Sequence, residues 1–161
     1  MIPREDAVPL AVSNGVAFAL LGVAVRWPRV ARRLFVLLFS GASIFNALTA
    51  LRDPQIYVRA FGPLAVLEAY RAFISGPFSR HAQAIVLAIA AGQLAVAALL
   101  AAGGRYRRLG AVGAVVFLLA ITPLGLGSAF PFPLIAIVAI LVMDRRLEGA
   151  GARGGAAVGP T

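Results

Sequence analysis

His81 is the single imidazole in the 161-residue chain, and imidazole is the side chain that exchanges protons near neutral pH. With Glu68 in the same stretch, it is the candidate for proton transfer at one face of the molecule. Three amides, Asn46, Gln83 and Gln93, interrupt otherwise apolar sequence. An amide in hydrocarbon needs a hydrogen-bond partner, and either a bound ligand or a neighbouring helix supplies one. Tyr70 adds a phenol in an aromatic segment. His81, Asn46, Gln93, Gln83, Glu68 and Tyr70 are therefore the candidate ligand-binding residues, and none is assigned as catalytic. The plainer alternative is that the amides join helices and that His81 marks a helix boundary without further role.

Other chemistries lack their residues. With no cysteine, disulfides, thiolate metal sites and thiol redox motifs are excluded. One histidine and two methionines supply a haem poorly, and no metal site is expected. Gly127-Ser128-Ala129 has the shape of a nucleophile turn, but it flanks prolines rather than opening a helix, and a nucleophile needs its base within reach. No glycine-rich phosphate loop is present.

The elements that must position these residues are apolar helices. Ala82 to Ala102 carries no charge and, as a helix, is about 30 Å long, the thickness of a bilayer's hydrocarbon. Similar runs at 8–25 and 34–51 predict two further spans. The uncharged stretch from Leu109 to Met143, broken by Pro123, Gly125 and Pro131, predicts two short ones at 109–124 and 132–145. Ser40, Ser43, Ala47 and Ala50 fall at helical spacing in the second span, a small-residue stripe suited to close helix packing. The connector at 52–81 is too polar to span and too aromatic for a plain linker. Pro63 and Gly76 bracket one or two short helices there, lying at the membrane surface or capping the bundle. The tail at 147–161, rich in glycine and alanine, is expected to be disordered.

The chain is thus expected to be an all-α, polytopic transmembrane bundle of five spans in one domain. Its composition, 61% hydrophobic and 13% charged, lies far from that of a soluble domain. All 15 basic residues are arginine, which suggests GC-rich bacterial coding, and the net charge of +9 is clustered as membrane orientation requires rather than spread for nucleic acid. Residues 1–7 lack the positive leading region of a signal peptide. With the N-terminus outside and the C-terminus cytoplasmic, the inner segments 26–33, 103–108 and 144–161 hold ten arginines and the outer segments five, as the positive-inside rule prefers. This threading brings Asn14, Asn46, Gln83 and Thr122 to the outer half of the bilayer, beneath the connector with Tyr57, Glu68, Tyr70, Arg71 and His81. An outward-opening polar pocket follows. No carboxylate lies in the middle of a predicted span, which argues against a proton or cation transporter.

An apolar helix with Ser-Gly near its middle, an aromatic connector, a small-residue helix ending in Gly-Gly-Arg-Tyr-Arg-Arg and the following LGAVGAVVFLLAITPLG together resemble the DoxX-like family over residues 33–145, with one helix added in front. Gln93 stands where that family often carries an acid. The resemblance implies a four-helix bacterial inner-membrane core and, as in some relatives, a subunit or quinone-proximal component of a membrane redox complex. A quinone would stack on connector aromatics and hydrogen-bond to His81, Asn46 or Gln93, with a protein partner supplying electrons, because the chain has no redox centre of its own. Two other functions fit the same sequence. One is a non-catalytic assembly subunit docking a membrane partner or a second copy, and the other is a small-solute carrier.

Overall fold

Twelve of the 23 buried apolar residues among those described are alanine, whereas Val12, Phe18, Leu37, Ile44, Phe45 and Val116 point outward. In water such a surface would be an aggregation liability. In lipid it is the favoured arrangement, because small residues let helix backbones approach and large aliphatic ones meet acyl chains. The computed structural model of the chain describes residues 4–156, and among them no strand occurs. Its helices are α1 (Arg4–Arg26), α2 (Pro28–Arg52), α3 (Gln55–Phe61), α4 (Glu68–Phe73), α5 (Ala82–Ala102), α6 (Gly104–Ile121) and α7 (Phe132–Ala156). A π-helical turn (Ile74–Phe78) extends α4, and a 3-10 segment (Thr122–Ser128) follows α6.

Four helical stretches are long and apolar enough to cross a membrane: Val8–Arg26, Pro28–Arg52, Ala82–Ala102 and Gly104–Gly125. The expected fifth, α7, is not among them, because its apolar part runs only from Phe132 to Met143 before Asp144. Local chemistry moves several other boundaries. Pro28 occupies the first helical turn of α2, where its missing N–H costs nothing, so the arginines of 28–33 are helical rather than part of a loop. Likewise Arg105 to Arg108 form the first turn of α6, and only Gly103 and Gly104, both at positive φ, make the reversal. The tail expected to be disordered from Leu147 is helical as far as Ala156. Residues 157–161 lie outside the described residues.

The five long helices close a ring, α1 on α2, α2 on α5, α5 on α6, α6 on α7 and α7 on α1, with α2 also touching α7. Phe35, Phe39, Leu100, Leu118, Ile140 and Met143 fill its centre. Because α1 and α2 reverse at Trp27, the residue between them, and α5 and α6 reverse at Gly103, one end of the bundle collects the arginine clusters. The connector closes the other.

At the α5–α6 crossing Gly110 lets two helix backbones approach closely. A Cβ on Gly110 would lie 2.8 Å from the backbone nitrogen of Leu100 and 3.1 Å from the carbonyl carbon of Leu99. Backbone cannot swing aside as a side-chain tip can, so Gly110→Ala is expected to destabilise the bundle by about 1–3 kcal/mol through overpacking. Gly92, on α5, has nothing within 4 Å of its would-be Cβ, and Gly92→Ala should be neutral or slightly stabilising. Thermal unfolding of the two variants in the same detergent checks the contrast; equal midpoints would contradict the close approach.

Candidate functional site

The connector folds back over the bundle as a roof. Val66 N–H donates to Pro123 O at 3.0 Å, the Tyr70 hydroxyl donates to Ala120 O at 2.8 Å, and Gln55 Nε2 donates to Ser79 O at 3.0 Å. Arg71 Nε holds the turn before α4 by donating to Ala65 O at 2.9 Å. Below, Ala65, Ile74 and Phe78 pack with Ala50, Ala82 and Val86 of α2 and α5. This second cluster is separate from the ring's core, and a chamber of about 790 Å³ lies between roof and bundle.

Its walls are aromatic and aliphatic. The five aromatic residues of the connector, Tyr57, Phe61, Tyr70, Phe73 and Phe78, all line it, as do Phe39 and Phe117, whose rings meet edge to face at 5.9 Å. Polar groups are few and concentrated on one wall. The Tyr57 hydroxyl donates to Asn46 Oδ1 at 2.7 Å, and Asn46 Nδ2 donates to Gln93 Oε1 at 2.8 Å. This hydrogen-bonded chain runs from the roof to a side chain only 4% exposed. With Oε1 engaged, Gln93 has its Nε2 donor pair left to offer the chamber. One turn below, Ser43 Oγ donates to Ala90 O at 2.7 Å, so the small-residue stripe of α2 serves packing against α5.

Of the six candidate residues, the structure brings Asn46, Gln93 and Tyr70 to this chamber. It does not bring the other three. His81 occupies the N-cap position of α5 with no capping hydrogen bond from its side chain, and it is exposed. Gln83 is exposed two residues further on, and Glu68 faces solvent in a long 3.6 Å pairing with Arg71. The expected common level of Asn14, Asn46, Gln83 and Thr122 is likewise not one site. Asn14 Nδ2 donates to Leu10 O and to Ala129 O, tying α1 to the turn before α7, and Thr122 Oγ1 donates within α6 to Leu118 O. Ser128 reaches the chamber, yet its hydroxyl donates to Gly125 O and no histidine lines the walls, so an activated serine is not assembled. The residue that sequence reasoning undervalued is Tyr57. The signal was present in its position a few residues after α2, where a connector helix must fold back over Asn46.

Burial pushes the Tyr57 phenol above its ordinary value, opposed in part by the Thr49 hydroxyl that would hydrogen-bond the ionised oxygen. A raised phenol keeps its proton through the physiological range, and what that proton stabilises is lost only as pH rises past about 10. Ligand binding and thermal midpoint should therefore be flat between about pH 6 and pH 9 and fall above that, a fall that Tyr57→Phe removes. A midpoint that drops near neutral pH would contradict this reading.

A volume of this size and apolar character is what small-molecule sites show. The fold and chamber define an all-helical protein with four helices able to cross a membrane, roofed at one end over a largely apolar cavity with a single polar wall. No protein-family model, no curated protein and no solved structure matches the chain.

Proposed function

We propose that the chain is a five-span bacterial inner-membrane protein, similar to the DoxX-like family, that binds the head group of a quinone beneath its connector and serves as a quinone-proximal subunit of a membrane redox complex. The observation that carries the reading is the polar wall, Tyr57 to Asn46 to Gln93, set in a chamber otherwise built of rings and aliphatic side chains. A quinone needs flat apolar walls for its ring and a donor for a carbonyl oxygen. Phe39, Phe61, Phe73 and Phe117 supply the first and Gln93 Nε2 the second. On this reading α7 is the fifth span. Its apolar segment is short, about 18 Å for its 12 residues, but Asp144 is met by Arg107 at 2.6 Å, so the helix can continue into the head-group layer without a bare charge. The arginine-rich end then faces the cytoplasm. Electrons come from a partner protein, since the chain's own residues bind and orient but do not carry them.

Purification from native membranes tests this. Near-stoichiometric quinone in an organic extract of the wild type, lost in Ala42→Phe, whose new ring fills the chamber from α2, and kept in His81→Ala supports the reading. Stoichiometric co-purification with another membrane protein and no extractable quinone favours the assembly subunit instead.

A further inference from the structure

The arginine end of the bundle is not evenly neutralised. Arg107 and Arg108 take both carboxylates of that end, Asp144 and Glu148. Two more arginines lie over aromatic rings of their own helix ends, Arg26 on Trp27 and Arg105 on Tyr106. Arg29, Arg32 and Arg33 have neither. They sit at i, i+3 and i+4, hence on one face of the first turns of α2, which contain no acid. Arg32 is the informative member. It is half-buried rather than splayed into solvent, and its Nη1 lies 3.0 Å from where a Cβ of Gly103 would be, so the guanidinium rests on the α5–α6 reversal. No ion pair or side-chain hydrogen bond joins it to another described residue. A guanidinium carries five donors in a fixed fork, and a charge held partly out of water without partners is costly. Arg107, at the same end and also partly buried, shows the usual solution, a carboxylate from α7. Around Arg32 the protein provides none.

We propose that the missing counter-charge is the phosphate of an anionic phospholipid, seated between the first turns of α2 and the Gly103 reversal, with Arg32 as the half-buried anchor and Arg29 and Arg33 at the rim. Arginine forks match phosphate oxygens in pairs, the end of the bundle lies at head-group depth if α2 and α5 cross the bilayer, and the N-terminal dipole of α2 adds to the attraction. The inference rests on the bundle's lying in a bilayer and not on the ligand of the chamber.

Trp27, the one tryptophan of the chain, lies two residues before Arg29 and is 56% exposed, so it reports the local lipid. The full chain is reconstituted in phosphatidylcholine vesicles in which brominated phosphatidylglycerol or brominated phosphatidylcholine quenches Trp27. The site predicts a preference for the anionic lipid of at least about fivefold, the scale of one arginine at a charged surface. Arg32→Gln should bring that preference near unity, while Arg145→Gln leaves it. Because Arg29 and Arg33 are exposed, Arg29→Gln and Arg33→Gln should fold normally and each weaken the preference, which keeps the test decisive if Arg32→Gln misfolds. Equal quenching by the two lipids, or a preference unchanged in all three variants, overturns the proposal. Loss of the preference on adding inorganic phosphate assigns the site to a free anion and overturns the lipid. Absence of quenching by either lipid removes the bilayer placement itself.

Discussion

Arg107→Met is expected to destabilise the bundle by about 3 kcal/mol, because it leaves a withdrawn carboxylate without its cation. The side chains of Arg107 and Asp144 are 12% and 18% exposed and meet at 2.6 Å between the first turn of α6 and the middle of α7. Removing both should cost far less than removing one: Arg107→Met with Asp144→Leu replaces the pair by apolar contact of similar volume, the exchange that is often neutral for buried pairs. Arg59 and Asp53 provide the contrast. That pair joins α3 to the residue after α2 with side chains 62% and 49% exposed, so Arg59→Ala should change stability by less than about 1 kcal/mol. Equilibrium unfolding of the single and double variants in lipid nanodiscs checks the set. A double variant as unstable as the single one would show that the cost lies in losing the pair itself and not in leaving a bare carboxylate.

Gln93→Leu is expected to weaken binding by removing the polar wall's donor without filling the chamber. Leucine keeps the bulk at this 4%-exposed position and removes both functions of the amide, the acceptor for Asn46 Nδ2 and the donors left to a ligand carbonyl. The binding loss should be about tenfold for a short-chain quinone analogue, one hydrogen bond's worth at a desolvated site. Stability should fall by only about 1 kcal/mol, since hydrogen bonds between membrane helices average less than that. The two numbers separate the ligand-binding role of Gln93 from a helix-joining one. If stability falls and affinity does not, Gln93 merely ties α5 to α2. His81→Ala, by contrast, should leave affinity within about twofold of the wild type, because an exposed side chain outside the chamber has no term in it.

What the sequence made legible follows the lipid. The charge-free run marks α5 to the residue and the C-terminal end of α2 to within one, since in hydrocarbon every backbone group must be satisfied within the helix and apolar length alone sets the boundary there. Where polar residues decided a boundary, the reading erred. The arginines at 29–33 and 105–108 look like loops in hydropathy, but they are first turns of helices begun by Pro28 and by the Gly103-Gly104 reversal. The Gly- and Ala-rich tail reads as disordered from its composition, yet α7 continues through it to Ala156.

The chamber was half legible. Both Asn46 and Gln93 are candidates from sequence, but depth groups Asn46 with Asn14, Gln83 and Thr122, whereas the structure hydrogen-bonds it to Gln93. Depth gives no azimuth, however. Asn14 and Thr122 bond to backbone elsewhere and Gln83 is exposed, because helix order and rotation decide which polar groups meet. His81 drew attention by its chemistry, yet its place at the start of α5 leaves it outside the roof that the connector makes over Tyr57 and Tyr70.

The most direct measurement is photolabelling of the full-length protein in its own membrane with an azido-quinone, followed by mapping of the labelled peptides. The account predicts saturable labelling in the connector between Tyr57 and Phe78 and on α6 near Phe117, competed by unlabelled quinone and lost in Ala42→Phe. Label that falls only on the lipid-facing residues Leu37, Ile44 or Val116, or that rises without saturation and persists in Ala42→Phe, would contradict a quinone site beneath the connector.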